Sequence, residues 1–202
     1  MYTTEHVPPR MALPEFVGGL RLTAADGQKP SLGGFFTVSD LAVVRSPAVA
    51  AIMESRSERE IRISNAVSIA DRRVYKLDYD SHEAGFPLPA GKDTVFVLTV
   101  GVTSSDHGEI DRWYESEHLA MLRAVPGWLR SRRYTLIGGG ATGYPEGKEI
   151  PKLLAVHEWT SAEALKTEEF KAATSTEWRT RAMATTTVVE RRTFDVFQVL
   201  RK

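Results

Sequence analysis

The chain has 202 residues, 26 Lys+Arg against 26 Asp+Glu, and a formal net charge of +0. That balance excludes a general nucleic-acid binder or a polybasic membrane-surface protein, both of which need a cationic excess. With no cysteine, disulfide scaffolds, thiol catalysis, iron–sulfur ligation and cysteine-type zinc sites are excluded too.

Hydrophobic residues are 42% of the chain and charged residues 26%, close to ordinary globular usage, so a buried core is expected. No apolar run reaches the roughly 18 residues of a membrane span. The N-terminus lacks the basic flank and apolar stretch of an export signal. A cytoplasmic protein with no membrane partner is the expectation.

In chain order, Tyr2–Leu13 reads as a helix, Phe16–Ala24 as a strand and Phe35–Val38 as a second, short one. Asp40–Arg62 follows as a helix and Asn65–Leu77 as a strand. Asp78–Asp93, with Gly85, Pro87, Pro89 and Gly91, reads as a linker. Thr94–Thr103 is β-branched and aromatic-rich, hence a strand. Asp106-x-x-Glu109 resembles a capping box that opens a helix over Glu109–Ala124, stopped by Pro126-Gly127. Strands Trp128–Ile137 and Lys152–Trp159 flank Gly138–Pro151, whose Gly/Pro density predicts an exposed connection. Ser161–Ala184 is rich in helix formers, and Thr186–Leu200 alternates as a final strand.

The chain also repeats itself. Tyr2–Arg21 over Tyr114–Arg133, at a constant offset of 112, gives six identities in 20 positions: Tyr2/Tyr114, Glu5/Glu117, His6/His118, Ala12/Ala124, Pro14/Pro126 and Arg21/Arg133. Ile69–Leu77 matches Val188–Val196 at an offset of 119. The second copy has the order β-α-β-β-α-β, a ferredoxin-like unit. The first copy begins at its helix, with no counterpart of Thr94–Thr103. The division expected is 1–78 as a first unit lacking its opening strand, 79–93 as linker and 94–202 as a second unit. An unpaired sheet edge is an association liability, and a second chain in a homodimer is one way to complete it.

Tyr114 and His118 are four residues apart, one turn on the helix face that meets the sheet, and Tyr2 and His6 repeat the arrangement. A buried imidazole serves as general base or acid, and a tyrosine one turn away positions a substrate oxygen. The other reading is a core histidine hydrogen-bonded to backbone. Glu5 and Glu117 are expected to cap or to pair with arginine. Strand alternation counted from Trp128 puts Arg130, Arg132 and Tyr134 on its face, and Ser131 and Arg133 on the opposite one. Two cations beside an aromatic ring suit a carboxylate or phenolate, or else pair with acidic residues. His157 and Trp159 share one face of their strand, open to a pocket or to the outer surface. No metal-binding spacing and no phosphate loop is present, so neither a metal site nor a cofactor is implied.

Tyr-x-x-Glu-His, followed by Val-Pro-Gly-Trp-Leu-Arg-Ser-Arg-Arg-Tyr and Leu-Ala-Val-His-Glu-Trp, resembles the dimeric α/β-barrel superfamily, and within it EthD-like proteins with two units per chain. The resemblance implies an α+β fold of tandem ferredoxin-like units forming an intrachain, pseudo-dimeric barrel with the first strand of the first unit missing. It implies a small-molecule substrate and a family histidine at His118 and at His6. Pro8-Pro9 departs from the pattern by breaking helix regularity, and Gly18-Gly19 replaces Arg130-Ser131.

The activity expected is cofactor-independent acid–base chemistry on an aromatic or polyketide-type molecule: cyclisation, dehydration or decarboxylation. His118 would move the proton, Tyr114 orient an oxygen, and Arg132 or Arg130 counter negative charge. Trp128, Tyr134 and Trp159 would wall the pocket, with His157, His6 and Tyr2 as further binding residues. The competing classes are a non-catalytic stress-responsive barrel and a cofactor-free monooxygenase.

Overall fold

A computed structural model describes residues 1–82 and 94–201; the linker reading of 83–93 lies outside them. The strands are β1 (Phe16–Ala24), β2 (Leu32–Val38), β3 (Ala70–Asp80), β4 (Phe96–Ser104), β5 (Trp128–Thr142), β6 (Leu153–Trp159) and β7 (Thr186–Arg201). They form one antiparallel sheet in the order β2-β1-β7-β4-β6-β5-β3. Within it β7-β4-β6-β5 is a complete ferredoxin-like order, the opening strand β4 lying between its unit's last and third strands. β1, β2 and β3 are the second, third and fourth strands of another such unit. Each unit's last strand pairs with the other's second, β7 with β1 and β3 with β5.

These two seams leave β2 and β3 as the outer edges of a curled, half-barrel sheet. The first unit's opening strand would fall between those edges, and among the described residues no strand lies there. The fold is α+β, built of ferredoxin-like units, with that one strand absent among the described residues. No described helix is long and apolar enough to cross a membrane.

The helices are more finely broken than periodicity predicts. In the first unit, a π turn at Tyr2–His6 leads into α1 (Val7–Met11), and α2 (Pro47–Glu54) and α3 (Glu58–Asn65) follow a 3-10 turn at Leu41–Arg45. In the second, α4 (His107–Trp113) continues through a π turn, Tyr114–His118, into α5 (Leu119–Arg123). After a 3-10 turn at Ala162–Lys166 come α6 (Glu168–Ala173) and α7 (Glu177–Ala184). The breaks fall at hydroxyl caps. Ser46, Ser57, Thr167 and Thr176 each accept a hydrogen bond from the backbone N–H three residues on, satisfying a donor that a helix start leaves unpaired. Asp106 does the same for Glu109 at 2.9 Å.

Three further expectations are corrected. Pro8 and Pro9 do not end the helix but lie in the first turn of α1, where a backbone N–H has no partner within that helix to lose. Gly138–Thr142 is not loop: it extends β5 and pairs with Ala70–Val74 of β3. A side chain at Gly139 would fall 2.5 Å from the Arg72 carbonyl oxygen, so bare backbone is what lets the strands meet. Tyr79 and Asp80, assigned to the linker, are strand residues opposite Arg133 and Arg132.

Two apolar clusters fill the space between the sheet and the second unit's helices. One gathers Leu98, Leu122, Val125, Trp159, Phe170 and Ala173. The other gathers Val102, Ile110, Trp113, Tyr114, Ala155 and Ala182. A third cluster on the helix-free inner face, Leu20, Leu22, Val97, Val156 and Phe194, joins both units.

Candidate active site

A β-bulge decides which residues of β5 reach the helices. The pairing of β5 with β6 slips between Trp128 and Arg130, taking one residue out of alternation. Trp128, Ser131 and Arg133 therefore share the helix-facing side. The Trp128 Nε1–H donates to Ser131 Oγ at 3.1 Å, and Arg133 pairs with Asp111 of α4. Arg130, Arg132 and Tyr134 lie on the inner face. There Arg130 Nε donates to Asp80 Oδ1 at 2.8 Å, and Arg132 pairs with Glu158, which also accepts from Thr94 Oγ1 at 2.8 Å. The expectation that Arg130 and Arg132 stand beside Tyr114 and His118 is thus corrected; the neighbouring cation is Arg133. The first unit carries the same bulge, between Phe16 and Gly18.

The π turn Tyr114–His118 closes with the Leu119 N–H on the Tyr114 carbonyl. π turns recur at functional sites because the extra residue re-aims side chains. Both Tyr114 and His118 are 5% exposed. The His118 ring stacks on Trp113 at 4.3 Å between centroids and meets Tyr114 edge-on at 5.1 Å. Its Nδ1–H donates to the Ala173 carbonyl at 3.0 Å, an acceptor that fixes the proton on Nδ1. Burial lowers this imidazole to about 4, so it is neutral at neutral pH. His157 lies behind Tyr114, rings parallel at 6.2 Å, with Nδ1 2.9 Å from Ser131 Oγ. Burial lowers it to about 3, and Nε2 is buried without a partner. Trp159 is fully buried, edge-on to Phe170 at 6.0 Å. His118, His157 and Trp159 are therefore closely packed, and Glu117 anchors the turn by accepting from Trp113 Nε1 at 3.2 Å and Thr176 Oγ1 at 2.6 Å.

Tyr114 is where this packed layer meets solvent-accessible space. A cleft of about 280 Å³ opens between α4 and strands β3 to β6. Val100, Val102, Ile110, Leu153 and Ala155 make its apolar walls; Tyr114, Arg133, Asp111, His107 and Glu115 make its polar side. Burial pushes the Tyr114 hydroxyl up to about 12, with Arg133 pulling the other way, so it stays protonated and can donate. The Arg133 guanidinium lies 4.5 Å from the Tyr114 ring centroid. The Asp111 side chain is 49% exposed, and only its Oδ1 is engaged by Arg133.

His118, His157 and Trp159 do not line the cleft. Sequence reasoning missed Asp111 and put Arg133 on the wrong face. The Arg21/Arg133 identity in the repeat was the signal available. Tyr2 and His6 occupy the matching π turn of the first unit, rings stacked at 4.5 Å, with Arg21 4.5 Å from the Tyr2 centroid.

No protein-family model and no curated protein matches the chain. Among solved structures, an anthrone oxidase-like protein is similar over 98% of this chain and 83% of its own, with 13% identity and a TM-score of 0.65. A candidate monooxygenase from Fusobacterium nucleatum is similar over 99% and 85%, with 10% identity and a TM-score of 0.50. At such identities the likeness is one of fold.

Proposed function

We propose that the protein is a cofactor-independent enzyme that removes a proton from an enolisable, oxygen-rich aromatic or polyketide-type molecule bound in the second-unit cleft. The observation that carries this reading is the convergence of a protonated tyrosine, a guanidinium and a half-open carboxylate on one cleft of mixed polar and apolar lining. A ketone oxygen placed between the Tyr114 hydroxyl and Arg133 gains charge as the adjacent C–H bond breaks, and fixed donors favour that charge. The unengaged oxygen of Asp111 accepts the proton. Cyclisation and dehydration proceed from such an enolate, and decarboxylation of a β-keto acid produces one as the C–C bond to the departing CO2 breaks; the same donors serve both. His118 and His157 hold the Tyr114 ring from behind.

The likeness to an anthrone oxidase-like protein favours a second outcome for the same enolate. Dioxygen would accept its electrons, a C–O bond would form, and loss of water would leave a quinone.

Deuterium uptake from heavy water tests the shared first step without knowledge of the product. Under nitrogen, anthrone and aromatic β-ketones should exchange faster with the wild type than without protein. Tyr114→Phe and Asp111→Asn should abolish most of the gain, and admission of air with consumption of oxygen would select the second outcome. Binding of the panel without accelerated exchange would leave a small-molecule-binding barrel in place of an enzyme.

A further inference from the structure

The two histidines of the repeated Tyr-x-x-Glu-His motif occupy the same place in their π turns but have different partners. His118 Nδ1 donates to a backbone carbonyl. His6 Nδ1 lies 2.6 Å from Glu60 Oε1, where the glutamate side chain is 4% exposed and the histidine side chain 22%. Glu60 stands in α3 at the position of Arg179 in α7, the two helices being in register at an offset of 119. The fold therefore does not require a carboxylate there. A buried carboxylate is costly unless it is hydrogen-bonded, and here it fixes the proton on Nδ1 and leaves Nε2 with the lone pair. Among the described residues Nε2 has no hydrogen-bond partner.

The surroundings are cationic. Arg10 donates to the His6 carbonyl at 2.6 Å, Arg21 stacks over Tyr2, and Arg72 on β3 is exposed. Arg10, Arg21 and Arg72 all act on Tyr2 electrostatically, and Nε of Arg21 is buried without a partner. In the second unit the corresponding space is filled by Leu98, Val100 and Val102 of β4. Among the described residues the first unit has no such strand, and His6 is left partly open.

We propose that this cluster is a second, separate site that takes an acidic phenol: His6 Nε2 accepts the phenolic proton, and Arg10, Arg21 and Arg72 hold the phenolate. The O–H bond breaks, its electron pair stays on oxygen, and the proton makes an imidazolium that the Glu60 carboxylate stabilises. Glu60 is the positioning residue. Burial lowers the affinity of His6 for a proton, opposed by the hydrogen bond its Nδ1–H donates to Glu60, with Arg10 and Arg72 acting in the same direction as burial. The resting imidazole is then neutral and able to accept.

The probe is para-nitrophenol, whose phenolate is coloured, titrated with the whole 202-residue chain at a pH where the free phenol is mostly protonated. Cations at contact distance lower such a pKa by roughly 1–3 units, so the bound phenol should become more acidic by about tenfold or more. His6→Gln should lose that gain. Glu60→Gln should shift its pH profile while leaving the affinity for uncharged para-nitroanisole unchanged. Arg21→Gln, on a strand rather than in the dyad, should weaken phenolate binding should Glu60→Gln fail to fold. Lys166→Gln, exposed in the other unit and away from its cleft, should change nothing here. An undiminished phenolate gain in His6→Gln, or a gain lost in Lys166→Gln instead, overturns the proposal, as does a wild type that leaves the phenol uncoloured.

Discussion

Arg133 holds its guanidinium over the Tyr114 ring, 4.5 Å from the centroid, and forms an ion pair with Asp111 at the rim of the same cleft. The ring face is thereby polarised, while the hydroxyl beyond it is left to donate. Arg21 repeats the stack on Tyr2 at 4.5 Å, so the arrangement belongs to both halves of the chain.

Tyr114→Phe removes the hydroxyl and keeps the stack. Its stability should stay within about 1 kcal/mol of wild type, and its exchange rate on the best ketone should fall about 10²–10³-fold. Arg133→Gln keeps the hydroxyl and removes the stack, costing about 0.5–2 kcal/mol. Thermal denaturation read beside deuterium uptake separates the two effects. Equal rates for Tyr114→Phe and wild type would remove the tyrosine from the chemistry.

Arg132 and Glu158 make a different prediction. Their side chains are 10% and 5% exposed, on the inner face of the sheet, and Nε of Arg132 is buried without a partner. Removing one member strands the other's charge, so Glu158→Leu should cost about 3–5 kcal/mol. Arg132→Met combined with Glu158→Leu should recover most of the loss. Urea denaturation of the full double-mutant cycle measures it, and additive losses would mean that the pair does not interact.

Acid should weaken the fold in a defined window. His118 sits at about 4 and His157 at about 3 in the folded chain, against roughly 6.5 when unfolded. Between these values the unfolded chain binds protons that the native chain refuses, so stability falls as pH drops from about 6.5 to about 4. His118 alone accounts for roughly 3 kcal/mol across that window. Above about 6.5 neither histidine contributes. His118→Gln, which keeps a donor for the Ala173 carbonyl, should flatten the pH dependence of the urea midpoint. An unchanged slope would show that the histidine is not buried neutral.

What the sequence made legible was whatever local chemistry controls. β1 was predicted to the residue as Phe16–Ala24, and the 112-residue offset correctly made Tyr2, His6 and Arg21 the partners of Tyr114, His118 and Arg133. The bulge after Trp128 was invisible because Leu129 is an ordinary strand residue, and one unpaired residue reverses every face beyond it. That single slip moved Arg132 into the candidate site and Arg133 out of it. Glu60 escaped notice because its contact with His6 spans 54 positions and depends on how α3 packs against the π turn. Gly139 brings a loop-type residue into a strand because close approach to β3, and not turn formation, is what this glycine serves.

The missing strand leaves one more measurable trace. Ile63 in α3 stands in register with Ala182 in α7, yet Ile63 is 36% exposed and Ala182 is 0% exposed. Ala182 is enclosed by Ile110, Trp113 and Tyr114 from the α4 side, and the first unit has no described counterpart of α4 or β4. Ala182→Leu must overpack that enclosure and should cost about 1–3 kcal/mol. Ile63→Ala should cost under about 1 kcal/mol, where a fully buried isoleucine would lose roughly 2–5. Urea midpoints of the two variants give the comparison directly. A loss in the buried range for Ile63→Ala would show that the β2–β3 opening is covered in solution, and a midpoint rising with protein concentration would identify a second copy of the chain as the cover.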